Sequence, residues 1–295
     1  MPHRTYPRSR GLTLQRPETA LCTAACLLLL VSSVPAQAPL APIRESGQTV
    51  TPVFEGWYRN PDGSFSLSFG YFNRNSREVL ELPIGSPNSL MPGGPDRGQP
   101  TRFEPRRHWG VFAVTVPPDF GAQARVTWTL VVRGDTFAIP GSLTLGWELD
   151  ALQGDAGSGN PPPALRFEPG GAVGRGPGGF WAAPRSAVVG RPMALTVWAS
   201  DDGKTAGSIA SDGRAGVPVT LTWFTHQGPP GGVAGFSDPR PTVSPADGKA
   251  TTSVTFARPG DYVLRVRAND ASGVVRGGHA QCCWTNGFVK VRVTP

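Results

Sequence analysis

Three groups of residues have side chains and spacing that could do chemistry. Asp201 and Asp202 follow one strand-like run, and Asn269 and Asp270 follow another. In a β-sandwich the loops after the second and sixth strands share one end, so these four would converge. Oxygen donors in loops are what Ca2+ takes, about six to eight at a time. Asp212 could add one more; no cofactor is expected beyond the Ca2+ these residues could hold. The same residues are also ordinary turn formers that bond their own backbone, and no EF-hand spacing is present. A second group is aromatic. Trp57, Tyr58, Trp181 and Trp284, with Trp109, could form a sugar-stacking platform if they are exposed on one face. The competing use of aromatics is core filling, which is expected of Trp128, Trp198 and Trp223. The third group is Cys282–Cys283. Neighbouring cysteines could close a vicinal disulfide, pair with another chain, or remain thiols on opposite strand faces.

Catalytic constellations are thin. Outside the N-terminal segment the histidines are His108, His226 and His279, none in a recognisable motif. G-x-S-x-G and C-x-x-C are absent, so no nucleophile with a placed base is read. His279 lies close to the cysteines in sequence, which is not the geometry a dyad needs. The glycines of residues 170–179 look superficially like a phosphate loop. No lysine or helix follows, so they read as a flexible loop.

The elements that must position these residues follow from composition. Gly (38) and Pro (32) make up almost a quarter of the 295 residues, yet 39% are hydrophobic. That is core enough to fold, with too many breakers for long helices. An all-β chain with many turns remains. Residues 1–36 read as a cleaved signal peptide: Arg4, Arg8, Arg10 and Arg16, then an apolar run through Leu27–Leu30, then Ala36. Removing them lowers the formal charge from +7 to +4. Arginines are scattered, with no nucleic-acid stripe. No later apolar run reaches membrane-spanning length.

Period-two alternation places the strands. Phe65, Leu67, Phe69 and Tyr71 share a face of a strand over residues 64–72, paired through Asn60-Pro61-Asp62-Gly63 with residues 53–59. Further strands are expected at 78–84, 109–116, 125–133 and 136–139, completing a sandwich domain over residues 37–150. Residues 151–163, rich in Gly and Pro, read as a linker or exposed loop. The second domain, residues 164–295, carries strands at 193–199, 219–223, 251–256, 262–268 and 288–293, with a polar loop over residues 200–216.

Leu195-Thr196-Val197-Trp198-Ala199-Ser200-Asp201-Asp202-Gly203, the Trp-ending run at 219–223, and Thr255-Phe256-Ala257-Arg258-Pro259-Gly260-Asp261-Tyr262-Val263-Leu264-Arg265-Val266 carry a resemblance. Together with Ala268-Asn269-Asp270-Ala271-Ser272-Gly273 they resemble the strands and loops of PKD-like and related immunoglobulin-like domains, over residues 186–295. Two departures are a longer loop at 200–216 and Phe224-Thr225-His226-Gln227 after the third strand. The whole chain is similar to uncharacterised secreted bacterial proteins that share Glu55-Gly56-Trp57-Tyr58-Arg59-Asn60-Pro61-Asp62-Gly63 and Cys282-Cys283-Trp284-Thr285-Asn286. The resemblance implies export, a sandwich, and binding or spacing outside the cell rather than catalysis.

The expectation is therefore an exported, all-β protein of two immunoglobulin-like sandwich domains. Its role is non-catalytic binding or structure in the cell envelope, periplasm or extracellular space. Partners are an envelope or extracellular protein or glycan, with no nucleic acid. Alternatives are carbohydrate binding through exposed aromatics and a secreted hydrolase with a site between the domains.

Overall fold

A computed structural model describes residues 43–152, 154, 159–204, 219–272 and 282–295. The expected signal peptide, Asp212 and His279 lie outside the described residues, as does most of the loop at 200–216. Among the described residues there is no α-helix, only one 3-10 turn at Leu145–Trp147. Among these residues no helix is long and apolar enough to cross a membrane.

The first half is built from β1 (Val50–Arg59), β2 (Phe65–Asn73), β3 (Leu80–Glu81), β4 (Asn88–Met91), β5 (Arg102–Phe103), β6 (Arg106–Val116), β7 (Val126–Val132) and β8 (Asp135–Gly141). One sheet has the order β1-β2-β6 and faces another of order β4-β7-β8; β3 pairs with β5. The β1–β2 hairpin turns where expected: Ser64 N–H donates to Asp62 Oδ1 (3.0 Å), and Gly63 takes a positive φ of 85°. Phe65, Leu67, Phe69 and Tyr71 are buried as their alternation requires. They pack with Phe112 and Trp128 between the two sheets, the Phe112 and Trp128 ring centroids lying 5.0 Å apart edge to face.

The strand expected at 78–84 shrinks to Leu80–Glu81 for a visible reason. Side-chain amides take the backbone acceptors around it: Asn73 Nδ2 donates to Glu78 O (2.8 Å) and Asn88 Nδ2 to Leu82 O (3.1 Å).

The second half comprises β9 (Ala164–Arg166), β10 (Phe180–Trp181), β11 (Arg185–Val188), β12 (Met193–Ser200), β13 (Thr220–Gln227), β14 (Ala234–Phe236), β15 (Lys249–Phe256), β16 (Gly260–Asn269) and β17 (Trp284–Thr294). A sheet ordered β10-β17-β16-β13, with β11 also on β17, faces one ordered β14-β15-β12-β9. Leu195, Val197, Leu221, Trp223, Phe256 and Val291 are among the residues that fill the space between them. Both halves are thus sandwiches, each with an interior drawn from two sheets.

The halves belong to one compact unit, Ile43–Pro295. In β16 and β17, Val263, Arg265 and Arg267 pair with Lys290, Phe288 and Asn286 on the face pointing away from the second core. An isolated sandwich would leave that face in water. Here Val263 and Phe288 join the hydrophobic cluster of the first half. The segment 151–163, expected as a linker or exposed loop, is buried at several of its described residues, though Gly159 is exposed. Ala151 and Asn160 are buried, and Pro163 O accepts a hydrogen bond from Thr285 Oγ1 (2.5 Å).

Candidate functional site

The seam between the two sandwiches concentrates the buried polar chemistry. At its centre is Arg265, 2% exposed. Its guanidinium lies 4.3 Å from the centroid of the Phe224 ring, and its Nη1 donates to Asn286 Oδ1 at 3.3 Å. Its Nε has no partner. Burial is the main cause that pushes its pKa down, to about 9, so it stays charged at neutral pH.

Two histidines flank this cation. His108 stacks on Tyr71 at 4.8 Å and meets the Phe224 ring edge-on at 6.1 Å. His226 is packed against Phe288, with Nε2 and Gly98 O 2.7 Å apart. Burial first, and the Arg265 charge second, push both imidazoles down to about 3. They are therefore neutral, and His226 donates its Nε2 proton to the first half.

Backbone contacts join the halves around this centre. Thr101 N donates to His226 O (2.9 Å), and Gly228 N donates to Thr101 Oγ1 (3.1 Å). Asn286 Nδ2 donates to Gly110 O (2.7 Å). Gly178 N donates to Tyr58 Oη (2.9 Å). Of the glycines of residues 170–179, expected to form a flexible loop, Gly176, Gly178 and Gly179 are held here: Gly176 O accepts from Asn286 N (3.2 Å), and Gly178 lies against Tyr58 and Ala113. A Cβ on Gly179 would collide with Phe288 and the backbone of Asn286, so only glycine lets the chain approach.

Glu55 and Arg107 form an ion pair on the first-half side, Arg107 Nη2 to Glu55 Oε1 at 2.7 Å. Burial outweighs this pair and pushes the Glu55 carboxyl up to about 7. The Arg107 guanidinium also lies 3.7 Å from the centroid of the Trp109 ring.

Beside the seam a groove of about 570 Å³ opens between the two halves. Arg102, Glu104 and Pro105 form one wall; β13, β14 and the loop after them form the other, with Phe224, Phe236 and Arg240. Arg102 is held between Glu81 (3.1 Å) and Glu104 (2.9 Å). The result is a groove with aromatic side chains and charges of both signs.

The aromatic platform is corrected. Trp57, Tyr58 and Trp284 are buried, and only Trp181 is exposed, stacked on Phe288 at 5.0 Å with Lys290 Nζ 5.1 Å from its ring centroid. The reason is that Trp57 lies in the first core, donating Nε1–H to Thr144 O (2.8 Å). Tyr58 and Trp284 are covered at the seam.

The acidic residues are engaged in turns. Asp201 Oδ2 accepts from Gly203 N (2.9 Å), and Asp202 Oδ1 accepts from Lys204 N (3.0 Å). Asp270 Oδ1 accepts from Ser272 N (2.8 Å), and its Oδ2 accepts from Asn160 Nδ2 (2.6 Å). Asn269 Oδ1 accepts from Arg267 Nε (2.9 Å). Asp201 Oδ1 and Asn160 Oδ1 are buried oxygens without a hydrogen-bond donor. Among the described residues no group of three or more His, Cys, Asp or Glu side chains is placed to hold a metal ion.

No motif in the sequence singles out Arg265, His226 or Glu55 as buried polar residues. One signal was available: Arg265 and Arg267 interrupt the apolar run of β16 on a single face.

No family model matches the chain. Solved structures similar to it include domains 4 and 5 of the S-layer protein SbsC, 8% identical, covering 77% of this chain and 90% of that one, with a TM-score of 0.26. The D0–D1 domain of intimin is 10% identical, with coverages of 83% and 98% and a TM-score of 0.25. The D00–D0 domain of intimin is 12% identical, with coverages of 84% and 100% and a TM-score of 0.25. At these TM-scores the likenesses carry no argument about fold or function.

Proposed function

We propose that this is an exported, non-catalytic binding protein of the cell envelope or extracellular space. The observation that carries the reading is the groove formed jointly by both sandwiches, with Phe224 and Phe236 among its walls and Arg102, Glu104, Asp238 and Arg240 supplying charge. Grooves between rigid units that mix apolar surface with a few placed polar groups are where proteins take partners. Export is part of the proposal, with residues 1–36 as the removed segment. The resemblance of residues 186–295 to PKD-like domains supports the same reading. Burial of Trp57, Tyr58 and Trp284 removes the basis for a sugar-stacking platform made of them.

The test is to crosslink the tagged protein in cells of its own source, beside an Arg240→Glu variant. Arg240 is exposed, so the variant is expected to melt like the parent. A partner captured by the parent and lost or weakened at least about tenfold in the variant supports the groove, as a rim charge steers association. Equal capture by both moves binding elsewhere. N-terminal sequencing of the protein from the exported fraction is expected to begin at Gln37; an intact N-terminus would overturn the cleavage, and absence of the protein from that fraction would overturn export.

A further inference from the structure

The Cys282–Cys283 pair has a geometry that its sequence position alone does not explain. The two Sγ atoms lie 2.6 Å apart. Both are free thiols in the structure, side by side with no bond between them. Neighbours on a regular strand would point to opposite faces, but these residues precede β17 and their sulfurs converge. Both side chains are buried, in one cluster with Trp284 and with Trp109 of β6. Around them Asn160 Nδ2 lies 3.6 Å from Cys283 Sγ, and Cys283 O accepts from Asp270 N (3.1 Å).

We propose that Cys282 and Cys283 form a vicinal disulfide that is made before the chain closes over them and is shielded afterwards. The ring fixes the start of β17 where Trp284 Nε1 donates to Gly110 O of β6 (3.4 Å). It is therefore a covalent modification at the seam between the two sandwiches.

The oxidant is a disulfide, either glutathione disulfide or a protein dithiol oxidase. One cysteine thiolate attacks a sulfur of that disulfide and expels the first thiol, leaving a mixed disulfide. The neighbouring cysteine loses its proton and attacks the cysteine sulfur of the mixed disulfide. The S–S bond forms and the second thiol leaves. Two electrons and two protons pass to the oxidant, which ends as two thiols. Exchange needs a thiolate. In the folded protein the adjacent Cys282, burial and the Asp270 charge raise the Cys283 pKa, which suppresses that thiolate. Oxidation therefore belongs to the unfolded or partly folded chain.

The experiment uses the full protein, refolded from the reduced state with glutathione disulfide, so its outcome does not depend on export. It is denatured in guanidinium with iodoacetamide and digested with trypsin. The peptide of residues 277–290 contains both cysteines. The expected result is a peptide without alkyl groups, lighter than the dithiol by two hydrogens, which takes two alkyl groups after reduction in guanidinium. A doubly alkylated peptide without reduction, or one linked to another cysteine peptide, overturns the disulfide.

Shielding is read by adding a phosphine reductant to the native protein, where reduction is expected to be at least about tenfold slower than in guanidinium, since access controls the reaction. Equal rates overturn shielding. Hydrogen exchange at residues 106–116 is expected to be slower in the oxidised than in the reduced protein. Unchanged exchange overturns the anchoring role while leaving the bond itself decided by the peptide mass.

Discussion

At the scale of single residues, two buried polar groups show opposite economics. Asn88 is fully buried and saturated: its Nδ2 donates to Leu82 O and Pro100 O, and its Oδ1 accepts from Trp128 Nε1 at 2.9 Å. Removing it strands three partners in the first core. Asn88→Ala is therefore expected to cost about 3 kcal/mol in guanidinium unfolding. Arg265 is also buried, but it makes one long hydrogen bond and leaves Nε unpartnered. A buried charge so poorly compensated is often better replaced by an apolar side chain of similar size. Arg265→Met is expected to raise stability by about 1 kcal/mol, whereas Arg265→Ala leaves a cavity and lowers it by about 2–4 kcal/mol. If both variants lose stability equally, the cation contributes more than its contacts suggest.

At the scale of elements, the glycine-rich segment before β10 works as a spacer of zero thickness. Gly179 has φ of 72° and packs against Phe288 and the Asn286 backbone. Gly179→Ala must strain that backbone and push it away from β17, which is expected to cost about 2 kcal/mol or more. Gly121 is the control. Nothing lies near the position its Cβ would occupy, so Gly121→Ala is expected to be neutral or to stabilise by up to about 1 kcal/mol. Thermal melts of the two variants check this contrast, and equal shifts would show that the packing of Gly179 on β17 is not tight. Elsewhere the turns follow their residues, as in the β1–β2 hairpin, where Asp62 accepts from both the N–H and the hydroxyl of Ser64.

At the scale of the whole molecule, the seam sets the pH dependence of stability. His108 and His226 titrate near 3 when folded and near 6.5 when unfolded. Between these values the unfolded chain binds protons that the folded chain refuses, so stability falls as pH drops from about 6.5 toward 3. Glu55 acts the other way. Its folded pKa of about 7 exceeds the ordinary 4.5, so its contribution is lost as pH rises through that interval. Two histidines outweigh one glutamate, so the urea midpoint is expected to climb from pH 4 to a maximum near pH 6.5 and then ease slightly. In His226→Gln the slope between pH 5 and 6 is expected to fall by about one proton. A flat profile in the parent would show that these imidazoles are not held neutral.

The sequence by itself determined what depends on neighbours along the chain. Alternation at Phe65, Leu67, Phe69 and Tyr71 placed β2 and its buried face, and Pro61, Asp62 and Gly63 placed its turn. Gly and Pro content excluded long helices, and β12, β13, β15, β16 and β17 all lie where their apolar periodicity put them. Tertiary structure alone decided which outer face is covered. Alternation assigns a polar residue to the face away from the core, but it cannot tell whether that face meets water or a second sandwich. Arg265, Asn286 and His226 were legible as polar positions and not as buried ones; Asn286 and His226 are covered through contacts with residues more than a hundred positions away. For the same reason Trp57, Tyr58 and Trp284 could not be separated from Trp181: indole and phenol side chains suit a core, a seam or a surface, and only packing chooses among them.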